Sequence, residues 1–136
     1  MTIRRGLFAV LAFVALVAAA CTGAEADTTT TVSGDGCADV VGARVEPSGD
    51  GFAVAATIRS ADTGWDRYAD AWEVRSPDGE VLGTRVLAHP HVDEQPFTRS
   101  LGDVEIPGGI TSIEVAARDS VVGYCGLTVI VPVPGR

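Results

Sequence analysis

From residue 37 to the C-terminus, apolar residues recur at every second position in short runs separated by turn residues, a period that suits strands and little else. Phe52, Val54, Ala56 and Ile58 alternate with Ala53, Ala55, Thr57 and Arg59, which gives an extended segment one apolar face. A strand over residues 37–46 precedes it, closed by the turn cluster Pro47-Ser48-Gly49-Asp50-Gly51. Residues 68–76 read as a third strand, with Trp72 and Val74 inward and Glu73 and Arg75 outward. Pro77-Asp78-Gly79 then reverses the chain, proline pre-setting φ and glycine supplying a left-handed position. Residues 80–88 run back as a fourth strand. Residues 96–101 form a fifth, after which Gly102-Asp103 shifts the alternation as a bulge does. Ile113, Val115 and Ala117 mark a sixth strand, and Leu127, Val129, Val131 and Val133 a seventh. Nothing after the leader combines helical apolar spacing with capping residues.

Seven short strands with a tryptophan in the third predict an all-β fold, a seven-stranded antiparallel two-sheet sandwich over residues 37–134. This spacing resembles immunoglobulin-like and especially fibronectin type III-like domains. One departure stands out. The immunoglobulin disulfide joins the second and sixth strands, whereas Cys37 and Cys125 stand at the start of the first and last. A Cys37–Cys125 bridge would staple the two ends of the domain and contribute about 4 kcal/mol in the chain-entropy model. Trp72 is expected to hold the core, packed against residues such as Val54 and Val115. Residues 68–101, with the patterns WEV, PDG, HPH and EQPFTRSL, also resemble small exported prokaryotic proteins of unassigned function. That resemblance implies a compact domain and brings no activity.

The first third of the chain is of another kind. Arg4 and Arg5 precede an uninterrupted apolar and small-residue run over residues 7–20, too short for a membrane span of about 20 residues. This is the form of an export signal, assigned here to residues 1–20. Ala18-Ala19-Ala20-Cys21 resembles a bacterial lipobox, although alanine stands where leucine is usual, three places before the cysteine. The resemblance implies that Cys21 is diacylated on sulfur and anchors the protein to a cell membrane or outer membrane, on its extracytoplasmic side. Two or more acyl chains make such attachment stable where one does not. Ordinary secretion with cleavage nearby is the alternative. Residues 21–36, small, acidic and threonine-rich, cannot bury enough apolar surface to fold and read as a flexible tether.

All ten basic residues other than histidine are arginine. Without Arg4 and Arg5, eight arginines face 18 acidic residues, a net charge near −10. Such a surface repels nucleic acid, which is excluded as a partner.

Two clusters stand out as candidate sites. His89-Pro90-His91, with Asp93 and Glu94, is the ligand-like one: alternate residues of an extended segment point the same way, and imidazole suits copper or zinc. His89, His91 and Glu94 are the candidate ligands, although a third histidine is missing. The bland reading is a loop fixed by Pro90 and Pro96, its polar groups pairing with Arg85 or Arg99. Trp65 and Tyr68, in the loop before the third strand, form the other cluster. They are placed either to recognise a protein or glycan at the cell surface, or to fold back and plug the open end of the sandwich. Ser100 or Ser120 with a histidine and Asp70 or Asp93 gives a triad on paper only, because no G-x-S-x-G elbow exists. A binding or structural module is therefore expected rather than an enzyme, with no catalytic residues and no cofactor beyond the copper or zinc of the metal-binding alternative.

Overall fold

The computed structural model describes residues 34–136; the export signal, Cys21 and most of the tether expected from the sequence lie outside them. Seven strands follow in order: β1 (Asp39–Ser48), β2 (Gly51–Arg59), β3 (Ala69–Arg75), β4 (Val81–Val86), β5 (Phe97–Val104), β6 (Ser112–Asp119) and β7 (Val129–Pro132). They form two antiparallel sheets, one ordered β1-β2-β5 and the other β4-β3-β6-β7.

The alternation read from the sequence becomes the interior. Phe52, Val54, Ala56 and Ile58 of β2 face Trp72 and Val74 of β3 and Ile113, Val115 and Ala117 of β6 in one buried cluster, joined by Phe97 and Val131. Trp72 is fully buried, as its position on β3 requires. Its indole Nε1 has no hydrogen-bond partner, so the ring is held by packing alone.

Local turn chemistry matches the sequence. Gly79, at φ 86°, closes the β3–β4 hairpin by donating its N–H to the Ser76 carbonyl. The bulge after the fifth strand is present: Phe52 pairs with Val104 and Val54 with Leu101, so two steps on β2 span three on β5, and Asp103 takes the positive φ.

Four strands differ from expectation. β1 starts later and runs through Pro47 and Ser48, which pair with Phe52 and Gly51 rather than turning, and β5 continues past its bulge to Val104. β4 is shorter than residues 80–88 and largely exposed, because it lies at a sheet edge with one neighbour. The seventh strand starts at Val129 rather than Leu127. Leu127 is instead drawn to the other sheet: its carbonyl accepts the Val40 N–H and its own N–H is donated to Asp39 Oδ1, both at 2.9 Å. The Cys37–Cys125 disulfide closes this same corner, with Cα atoms 5.4 Å apart. Gly126 allows the approach, since a Cβ there would lie 1.9 Å from the Ala38 carbonyl oxygen.

Candidate functional site

The two clusters singled out in the sequence meet at one end of the sandwich. β2, β4 and β6 end there and β1, β3, β5 and β7 begin there, so three connecting loops converge. Between two of them lies an open cleft of about 550 Å³, lined by Gly64 and Trp65 on one side and by residues 89–94 on the other.

Trp65 does not plug the sandwich. Thr63 donates to the Arg67 carbonyl and Arg67 to that of Gly64, at 3.0 and 3.2 Å, which leaves Trp65 and Asp66 at the tip of a tight turn. The indole is 71% exposed and meets the Tyr68 ring edge-on, 5.8 Å between centroids. Tyr68 is half-buried, its backbone fastened to Ser120 at both its N–H and its carbonyl.

Across the cleft the two histidines have unlike surroundings. His89 is exposed, and its Nδ1 lies 3.0 Å from the Pro90 carbonyl. His91 is 4% exposed, its ring stacked on Phe97 at 3.8 Å and overlain by His89 at 4.5 Å. Neither ring nitrogen of His91 has a hydrogen-bond partner. Burial depresses its pKa, and Arg99 and His89 push the same way, so the ring is neutral at pH 7.

Glu94 is engaged elsewhere: both its oxygens accept from the Arg99 guanidinium, at 2.9 and 3.3 Å, and that hydrogen bond holds its pKa below the usual value. Among the described residues, no three histidine, cysteine, aspartate or glutamate side chains come together in a way that would hold a metal ion. Histidine–serine pairing is absent among them as well. The Ser120 hydroxyl accepts from Tyr68 N–H, Ser100 sits in β5, and Asp70 pairs with Arg118.

Two residues that shape the cleft were not singled out in the sequence. Asp62, 9% exposed, accepts from Ala69 N–H and the Ser60 hydroxyl on one oxygen, at 2.9 and 2.6 Å, and from His91 N–H on the other, at 2.8 Å. Gln95 closes the same junction, accepting from Ser60 N–H and donating to the His91 carbonyl, each at 3.0 Å. The sequence signal was modest: an Asp two places after a Ser in a glycine-containing loop suits side chain-to-backbone turns.

Comparison with known proteins gives a partial relative. Over 75 residues the chain is 41% identical to a protein of Halomicrobium mukohataei described as "Putative lipoprotein". The shared stretch covers 55% of this chain but 36% of that protein, so it spans about a third of the relative's length. No family model and no solved structure matches the chain.

Below the cleft, Arg67 ties this end together. It donates to Asp119 Oδ2 at 3.1 Å and to the Gly36 carbonyl at 2.6 Å, so the chain enters the domain beside the Trp65 turn. Asp119, 1% exposed, also accepts from the N–H groups of Val121 and Val122. Burial alone raises its carboxyl pKa, but those backbone donors and Arg67 outweigh it and hold the group ionised below the ordinary range.

Proposed function

We propose that this chain is a lipid-anchored, extracytoplasmic β-sandwich module, fibronectin type III-like in its strand order, that recognises a partner at the cell surface through the Trp65–His91 cleft. The anchor reading is supported by Arg4, Arg5 and the apolar run before Cys21, together with the name carried by the partial relative. Export is further supported by the Cys37–Cys125 disulfide, a bond that persists in oxidising compartments. The order β1-β2-β5 against β4-β3-β6-β7 supports the fold likeness.

One observation carries the binding role. Trp65 stands 71% exposed on a turn fixed by backbone hydrogen bonds, at the rim of a cleft whose far wall is pinned to the same loop by Asp62. Large aromatics held rigid and open to solvent are the side chains that binding surfaces concentrate.

The test places a photo-crosslinking amino acid in place of the exposed Asp66, beside an intact Trp65, in the full-length chain in its native membrane. A discrete crosslinked partner, lost when the label is moved to Thr84 on β4, is the expected result. Labelling no stronger at 66 than at 84 overturns the role of the cleft. Cys21→Ser is expected to leave the protein unprocessed or to release it from the membrane fraction; processing and fractionation both unchanged overturn the anchor.

A further inference from the structure

We propose that the cleft binds a neutral glycan, with the Trp65 indole stacked on the apolar face of a sugar ring and His91 and Asp93 exchanging hydrogen bonds with its hydroxyls. This rests on the reading of the cleft as a recognition site and adds the chemistry of what it recognises.

His91 decides the class of ligand. Its backbone is fully used, the N–H given to Asp62 and the carbonyl accepting from Gln95, yet its ring goes without a partner at either nitrogen. Buried polar groups are almost always hydrogen-bonded, and His91, unlike the equally unpartnered Trp72, lines the cleft, so its ring is the group that a ligand there would engage. A neutral imidazole offers one donor and one acceptor. A cationic ligand answers the acceptor and opposes the donor. An anionic ligand answers the donor, but meets Asp93 in the cleft wall, Asp66 beside Trp65 and a chain of net charge −8. Hydroxyl groups donate and accept, and so answer both nitrogens as well as the Asp93 carboxylate.

The remaining walls suit the same ligand. Trp65 offers an open aromatic surface, being 71% exposed. Pro90 and Val92 supply apolar contact, and the volume of about 550 Å³ lies in the range of small-ligand sites. His89 is the cover: exposed, and bonded only to the carbonyl of the next residue, it turns aside by rotation of its own side chain and opens the His91 ring to the cleft. Phe97 keeps that ring in place from the opposite side.

The experiment titrates the full-length chain with neutral disaccharides and trisaccharides of glucose, galactose, mannose and N-acetylglucosamine. Oligogalacturonate and arginine-containing dipeptides serve as charged comparisons. The readouts are Trp65 emission and the imidazole nitrogen resonances of His91. At least one neutral saccharide is expected to shift both. Trp65→Ala is expected to weaken that binding about tenfold or more, as is His91→Phe, which keeps a ring on Phe97 and removes both nitrogens. The His91→Phe variant is also expected to melt no lower than the parent, which separates lost binding from lost folding. Three results overturn the proposal: no response to any neutral saccharide, response to the charged probes alone, or undiminished binding by His91→Phe. Capture of a protein through position 66 without any saccharide response keeps the recognition site and removes the glycan. Failure of both removes both.

Discussion

Asp62 Oδ2 accepts the backbone N–H of His91 at 2.8 Å, although the two residues lie 29 apart in sequence and in different loops. Alongside the bond from Ser60 N–H to Gln95, this carboxylate joins the Trp65 loop to the His89–His91 loop. Its other oxygen is taken by Ala69 N–H and the Ser60 hydroxyl.

Removing that carboxylate leaves two buried backbone N–H groups without an acceptor. Asp62→Ala is expected to destabilise the domain by about 2–6 kcal/mol, at about 1–3 kcal/mol for each orphaned group. Asp62→Asn, which keeps one acceptor oxygen, is expected to cost less. Urea denaturation of the three proteins checks the order, and an Asp62→Ala midpoint equal to the parent's would disprove the clamp.

The two tryptophans are expected to respond in opposite ways to truncation. Trp72→Ala opens a cavity between the sheets and is expected to cost about 3–5 kcal/mol or to prevent folding. Trp65→Ala, on an exposed turn, is expected to stay within about 0.5 kcal/mol of the parent. Thermal unfolding followed by far-ultraviolet circular dichroism distinguishes them. Similar small shifts at both sites would mean that the core is not built on Trp72.

Acid stability follows from Asp119. Its carboxyl pKa is lower in the folded chain than the unfolded value of 3.8, so the unfolded state takes up the proton first as pH falls. The stabilisation is fully present above about pH 4 and is lost as pH drops through the folded pKa. Asp119→Asn is expected to lower stability at pH 7 and to flatten the acid limb of the stability curve. Parallel acid limbs in the two proteins would count against this role.

Reduction of the Cys37–Cys125 bond is expected to cost about 2–5 kcal/mol, the range for native bridges in small exported domains. Cys37→Ser measured against the oxidised parent gives the figure. Non-reducing peptide mapping should recover residues 37 and 125 in one linked fragment.

Most of the scaffold was legible in the chain because it follows from period and turn chemistry. The alternation in β2 placed Val54 and Ile58 inside, Gly79 stands where a left-handed residue is needed, and the shift at Gly102-Asp103 is a bulge. These signals act over two to four residues. The cleft depends on contacts between loops far apart in sequence, which local patterns do not encode. His91 illustrates the gap: with His89 and Glu94 it suggested a ligand set, while Arg99 was already a possible partner for the loop's polar groups, and the stacking of His91 on Phe97 depends on how the 89–95 loop lies over β5. Trp65 shows the same gap. Composition alone left open whether it plugs the sandwich or faces solvent, and the turn closed by Thr63 and Arg67 settles it outward.

The corner where Cys37 meets Cys125 also governs how the domain bears a pull. Cys37 leads into β1 of one sheet, and Cys125 lies in the connection that leads to β7 of the other. Tension arriving along the chain ahead of residue 37 therefore passes through a covalent bond into both sheets at once. β1 is an edge strand paired only with β2 within its sheet, and without the bond it would peel away one hydrogen bond at a time. With it, the start of β1 stays fixed to the connection that leads into the other sheet, and the load is shared between the two layers.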